Sequence, residues 1–169
     1  KNSAVQLGSY QEMVFHRNPE NKITFDYQWS LPESLNFKDP VTGQSFAGDS
    51  LSFHAEVGLG NKDQHTQMLD QLKYELYEGK ESSLSIGMER KLDAKSEYKV
   101  DSTNYTLKRK QGRVWYPGAP VRFYGFPDEV VAYHQNADFV QELNLLHEKL
   151  YRSLCYLGPL RTKAERLYS

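Results

Sequence analysis

The clearest pattern along the chain is alternation. In Ile23-Thr24-Phe25-Asp26-Tyr27-Gln28-Trp29 every second residue is apolar, the period of two that places those side chains on one face of a β-strand. The same alternation returns at Leu51, Phe53, Ala55 and Val57, then at Leu72, Tyr74 and Leu76, and again at Leu84, Ile86 and Met88. Shorter versions stand at Tyr98 and Val100 and at Tyr105 and Leu107, before Gln111-Gly112. Glu78-Gly79-Lys80 reads as a tight turn. The stretch Leu31 to Ser50 carries two prolines, two glycines and the run Asp39-Pro40-Val41-Thr42-Gly43, so it is predicted as a long hairpin loop or a small excursion. Residues 1–20 read as a polar lead-in, with turns at Leu7-Gly8-Ser9-Tyr10 and at Asn18-Pro19-Glu20-Asn21.

Polar turns, and no helical pattern, separate these segments, so the expectation is an antiparallel meander of about six strands. The intervening positions, among them Thr24, Asp26, Gln28, Ser52, His54, Glu56, Lys73 and Glu75, are polar. One face of the sheet is therefore predicted to be wet.

After Asn136 the period changes. Phe139, Leu143, Leu146, Leu150 and Leu154 recur at steps of four, three, four and four, one stripe of an amphipathic helix. Either Asn136 or Asp138 serves as N-cap, and Asp138 with Gln141 resembles a capping box. Leu157-Gly158-Pro159 is read as the stop. Val114 to Val131, rich in proline and aromatic residues, reads as a linker. The sequence thus predicts an α+β chain: an antiparallel β-subdomain over 1–113, a Pro/aromatic linker over 114–136, and the start of a helical subdomain over 137–169.

Composition narrows the classes. The chain has 169 residues, with 21 Lys and Arg against 22 Asp and Glu, and an isoelectric point near 6.6. Such a balance supplies no global pull toward nucleic acid or an anionic membrane. With a mean hydropathy of −0.73 and no apolar run near the roughly 20 residues that span a bilayer, a soluble protein with no membrane partner is expected. A lone Cys155 excludes an internal disulfide and a multi-cysteine zinc site, and favours the cytoplasm. Twelve tyrosines suit a half-buried sheet whose hydroxyls reach water. Lys1 in place of Met, and Ser169 with no helix stop, give the expectation of a piece of a longer protein.

Standard chemistry is sparse. The histidines, His16, His54, His65, His134 and His147, include no i, i+4 pair of the metalloprotease kind. Cys155 beside Leu154 reads as a buried, inert thiol. Glu56, Glu75, Glu89 and Asp93 fall at outward strand or turn positions and form no glycosidase-type acid pair. Neither Gly-x-x-x-x-Gly-Lys-Ser/Thr nor Gly-x-Gly-x-x-Gly occurs, so the chain itself carries no standard phosphate cradle. Between Arg90 and Arg113 the cations Arg90, Lys91, Lys95, Lys99, Lys108, Arg109, Lys110 and Arg113 outnumber the acids. Of these, Lys108, Arg109, Lys110 and Arg113 are candidates for a phosphate backbone, with Tyr98 and Tyr105 as base-stacking partners. A charged, solvated hairpin rim is the competing reading.

The most distinctive segment is Tyr156-Leu157-Gly158-Pro159-Leu160-Arg161. With Tyr124-Gly125-Phe126-Pro127-Asp128-Glu129-Val130 and Gln135-Asn136-Ala137-Asp138-Phe139 before it in order, it resembles the middle of ABC-like, AAA-type ATPases related to the OLD family. Leu7-Gly8-Ser9-Tyr10 with Met13-Val14-Phe15 is similar to the stretch just downstream of the Walker A helix in that family. After Arg161 the chain departs from the pattern, since Thr162-Lys163-Ala164-Glu165-Arg166-Leu167-Tyr168 replaces a proline and a basic-aromatic stretch.

The resemblance implies the β-layer and first helical elements of a P-loop ATPase head, with Walker A before Lys1 and the signature motif and Walker B acid after Ser169. It further implies ATP and Mg2+ as cofactors of the parent protein, the remainder of the ATPase domain as partner, and head-to-head homodimerisation. A nuclease or effector partner, DNA processing and antiphage defence follow from the same resemblance. No cofactor is expected in the isolated segment. Two roles are open to Arg161. Either Gly158 and Pro159 merely end the helix while Arg161 pairs with a carboxylate or caps carbonyls, or Arg161 projects toward a nucleotide or the facing subunit. The alternative class is a free-standing β-rich module that binds protein or single-stranded nucleic acid.

Overall fold

The structure, a computed structural model, describes residues 9–60, 66–91, 98–112, 116–120 and 122–154. Five antiparallel strands make one sheet in chain order: β1 (Ile23–Lys38), β2 (Ser45–Leu59), β3 (Gln67–Glu78), β4 (Glu81–Arg90) and β5 (Tyr98–Thr103). Ahead of them lie a single helical turn, α1 (Tyr10–Met13), and a 3₁₀ turn at Phe15–Arg17. After them come α2 (Asp128–Tyr133) and α3 (Phe139–Ser153). The chain is thus α+β, with a five-stranded meander and few helices.

Register explains the two faces. Tyr27 pairs with Phe53, Phe53 with Tyr74, and Tyr74 with Ile86, so one cross-strand row presents three rings and an isoleucine to the core. One residue along, Asp26, His54, Lys73, Gly87 and Asp101 form the facing polar row. Leu51, Phe53, Ala55, Leu72, Tyr74, Leu76, Leu84, Ile86 and Met88 are all buried. Each large apolar side chain removed from water in this layer contributes roughly 1.5–3 kcal/mol. Gly48 is required where β2 crosses β3, because a Cβ there would stand 2.4 Å from the Leu76 side chain.

The strands are longer than the alternation suggested. Leu31–Lys38 and Ser45–Ser50 are strand, not loop, and only residues 39–44 turn the chain. The register jumps from Ser30 opposite Ser50 to Leu35 opposite Gly48, a bulge that accommodates Pro32 on an edge strand. Tyr105 and Leu107 belong to no strand, so the meander has five strands among the described residues, not six. The turns at Asn18–Asn21 and Glu78–Lys80 form as expected, the second with Gly79 at φ +61°.

The described part of the proline-aromatic stretch is packed structure. Phe126 and Val130 are buried in the core, Val130 on α2, and the Asn144 side-chain amide accepts from the Phe126 N–H and donates to the Phe126 carbonyl, both at 2.9 Å. Asn136, also buried, donates to Asp39 Oδ1 at 3.1 Å and to the Thr106 carbonyl at 3.0 Å, and accepts from the Lys108 N–H at 2.9 Å. It thereby ties the β1–β2 turn to the segment after β5. Asp39 is satisfied by Thr42, Val41 and Asn136. Burial pushes its carboxyl up, but those three donors outweigh burial and hold it below the ordinary range.

Helix α3 is rotated relative to the predicted leucine stripe. Its buried line is Phe139, Val140, Leu143 and His147, whereas Leu146 and Leu150 are only partly covered. Leu154 lies beyond the helix and is 64% exposed. The physical reason is a polar anchor: the sheet offers tyrosine hydroxyls at the position where His147 enters. Asp138 is the N-cap, with helical backbone and no side-chain capping bond. The predicted stop, Leu157-Gly158-Pro159, lies outside the described residues, and α3 already ends at Ser153.

Candidate functional site

Of the basic residues singled out from sequence, Arg113 lies outside the described residues. The other three diverge in role. Lys110 is a helix-end cation: its ammonium donates to the Val131 carbonyl at 2.9 Å and its N–H to the Tyr133 carbonyl at 2.8 Å, where the negative end of the α2 dipole favours positive charge. Lys108 turns its side chain to solvent while its backbone binds Asn136 and Gln135. The Arg109 guanidinium lies 5.0 Å over the Tyr133 ring, and its backbone bridges to His134.

The expected stacking tyrosines do not serve. Tyr98 and Tyr105 are 2% and 6% exposed, and their hydroxyls donate to the carbonyls of Leu69 and Asn136. Both rings are core, so neither faces a base. Two other tyrosines take the outward place. Tyr116, 49% exposed, stands 5.7 Å from Tyr133 between ring centroids, and the Lys91 ammonium lies 5.5 Å over Tyr116. Nothing in the local sequence marks Lys91, Tyr116 and Tyr133 as neighbours. Only the packing of α2 beside the sheet's far edge brings them together.

A second cluster escaped the sequence. His147 is completely buried in a cage formed by Tyr27, Trp29, Phe53, Tyr74, Tyr124 and Tyr151. Its Nε2 is 2.6 Å from the Tyr27 hydroxyl and its Nδ1 is 2.5 Å from the Tyr74 hydroxyl. The Tyr74 hydroxyl also reaches the Tyr124 carbonyl at 2.5 Å, and its single proton must lie there, since two bare oxygens would repel at that separation. Nδ1–H therefore donates to Tyr74, and Nε2 accepts from Tyr27. The Tyr27 oxygen in turn accepts from Tyr151, 2.7 Å away. Every hydrogen-bonding group of the cage core is paired with defined polarity. Burial pushes the imidazole down to about 4 and lifts the Tyr27 and Tyr74 hydroxyls above their ordinary value. This neutral, saturated network holds α3 on the sheet and offers no open position to a substrate. The step Val140, Leu143, His147, Tyr151 was available as its sequence signal, masked by the leucines.

The wet face of the sheet carries paired charge. Lys22 bridges Glu56 at 2.8 Å and Asp70 at 3.1 Å, which holds the Glu56 carboxyl below its usual range. Arg90, which stands opposite buried Tyr98 in the row of Met88, reaches the same Asp70 through a short ion pair. As expected, Glu56, Glu75 and Glu89 stand on the wet face; Asp93 lies outside the described residues. His54 lies between Asp26 and Glu56 at 3.8 and 3.7 Å. A groove of about 880 Å³ runs between the β1 bulge and α3, over Phe37, Tyr105 and Phe139. Its rim, Glu33, Lys38, Asp138, Glu142 and Lys149, mixes both signs of charge.

Among the described residues no group of His, Cys, Asp or Glu is arranged to hold a metal ion, and no helix is long and apolar enough to cross a membrane. Arg161, Gly158, Pro159 and Cys155 lie outside the described residues. No protein-family model, curated protein or solved structure matches the chain.

Proposed function

We propose that this chain is the β-layer and first helical element of an ABC-like, OLD-related ATPase head, cytoplasmic and homodimeric through its heads, in which it supplies scaffold. The reading rests on one observation: Leu7–Tyr10, Tyr124–Val130, Gln135–Phe139 and Tyr156–Arg161 stand in the order in which similar segments occur in that family. The nature of the middle two segments is consistent with a scaffold role. Phe126, Val130, Asn136 and Phe139 are buried, so their chemistry is packing and hydrogen bonding between sheet and helices. ATP and Mg2+ would then be held by a phosphate loop and acidic residues elsewhere in the polypeptide, with Gly158-Pro159 presenting Arg161 toward nucleotide or the facing subunit. DNA processing or antiphage defence, with a nuclease or effector as partner, is the setting this family suggests.

The experiment is to express the full reading frame that contains these residues and measure ATP turnover. Turnover that is lost on Arg161→Ala, with an unchanged melting transition, is the expected result, alongside no measurable ATP affinity for the 169-residue chain. A reading frame with no Gly-x-x-x-x-Gly-Lys-Ser/Thr upstream of Leu7, and no ATP turnover, would overturn the proposal.

A further inference from the structure

Four side chains from four separate segments form a surface ladder in which two neighbouring rings stand between two cations. Lys91 follows β4, Tyr116 sits in the 116–120 segment, Tyr133 ends α2, and Arg109 follows β5. The order in space is Lys91, Tyr116, Tyr133, Arg109, with separations of 5.5, 5.7 and 5.0 Å. We propose that this ladder is a binding surface for single-stranded nucleic acid, on which Tyr116 and Tyr133 stack bases while Arg109, Lys91 and the adjoining Lys108 meet phosphates. The inference does not depend on the ATPase reading.

Three observations carry it. The first is rigidity on one side and freedom on the other. Tyr133 is held from behind by His134 at 4.9 Å between centroids, and His134 is itself buried and bonded through Nδ1 to the Val130 carbonyl at 3.0 Å. Tyr116 in contrast leaves half its surface in water. Aromatic platforms of this kind take any base, because every base has a π-face.

The second is spacing. The Lys91 ammonium stands 5.5 Å from the ring centroid, near the outer end of the roughly 6 Å reach of a cation–π contact, so the Tyr116 face is covered by one mobile side chain. A lysine on a flexible stem swings off the ring as a base enters, and then meets the adjoining phosphate as a point charge.

The third is charge. The ion pairs of the described residues engage Lys22, Lys73, Arg90, Lys99, Arg122 and Arg152. Lys91 and Lys108 have no carboxylate partner within that set, and both are exposed. Among the described residues, this leaves Lys91 without a carboxylate partner beside the exposed ring of Tyr116. Release of counterions from a phosphate backbone is the reward such a patch offers.

The test is fluorescence anisotropy of labelled oligothymidylate with the 169-residue chain, without nucleotide. Binding is expected to weaken about tenfold between roughly 50 and 200 mM salt. Tyr116→Ser should weaken it at least about fivefold, and Arg109→Ala similarly, as loss of one stacked base or its cation predicts. Lys108→Ala should lower the salt slope, whereas Lys80→Ala, in the β3–β4 turn, should change nothing. Circular dichroism melting of each variant separates lost binding from lost fold. The proposal is overturned if no salt-dependent binding occurs, if folded Tyr116→Ser binds as the parent does, or if polyglutamate or an abasic oligomer binds equally well. Equal affinity for duplex DNA would overturn it too, since bases within a duplex cannot reach the rings.

Discussion

The Tyr74 hydroxyl lies 2.5 Å from His147 Nδ1 and 2.5 Å from the Tyr124 carbonyl, so one side chain at the centre of the sheet fastens both the helix and the preceding loop. Tyr74→Phe keeps the ring and removes the oxygen. It strands a buried N–H and a buried carbonyl, a loss of about 1–3 kcal/mol for each stranded group. Tyr74→Phe combined with His147→Leu strands fewer groups, so the double variant should cost less than the sum of the singles. Urea denaturation of the singles and the double checks this; strict additivity would mean that the two residues do not act as a unit.

The same cage makes stability depend on pH. The unfolded histidine takes up its proton near 6.5, the folded His147 only at about 4. Because the unfolded state then binds more protons, stability is intact above roughly pH 6.5 and declines as pH falls toward 4, by up to about 3 kcal/mol. His134 adds in the same direction, since burial lowers it as well and the nearby Lys110 reinforces the shift against its Val130 bond. Urea midpoints measured across this window should fall steeply for the parent and less so for His147→Gln. Nitrogen-15 NMR of the imidazole at neutral pH should show the proton on Nδ1.

The alternation of β2, β3 and β4 was legible because central strands with one wet face leave no freedom in which side chain turns inward. The strand ends were not, because β1 keeps its phase from Trp29 to Phe37 across the bulge at residues 31–34 while β2 changes phase between Phe46 and Leu51, which hides the continuity of Phe37 and Phe46 with the core. Tyrosine is ambiguous by nature. Tyr98 and Tyr105 are as suited to core as to surface, and only the carbonyls of Leu69 and Asn136 decide for core. The leucines of α3 made a convincing stripe, yet a histidine that finds two hydroxyls outweighs a leucine that finds only partial cover. The ladder from Lys91 to Arg109 is legible only in three dimensions.

At the end of the sheet, in the row of Met88 and Tyr98, Arg90 is 9% and its partner Asp70 16% exposed in their side chains. Removing one member of so sheltered a pair leaves the other desolvated and alone. Asp70→Ala should therefore cost about 3–5 kcal/mol, whereas Arg90→Met with Asp70→Leu should come close to neutral. Thermal unfolding of the two variants distinguishes a pair that stabilises from one that merely must not be broken. The second outcome is expected, since Lys22 keeps Glu56 at 2.8 Å when Asp70 is gone.

The edges of the sheet decide whether copies of this chain pair with one another. At β5 the Tyr98 N–H donates to the Pro117 carbonyl at 3.4 Å, so a neighbouring segment occupies the start of that edge. At β1 protection comes from sequence: residues 31–34 fall in the register jump, Pro32 has no N–H to offer, and Glu33 is exposed beside it. A bulge, a proline and a charge are the means by which edges refuse a further strand. Pro32→Val with Glu33→Thr restores a donor and removes the charge without touching the core. This variant should self-associate with rising concentration in light scattering, with added β signal in circular dichroism, while the parent does not change. A variant that stays at the parent's mass over the same concentrations would show that the proline and the charge are not what keeps this edge from pairing.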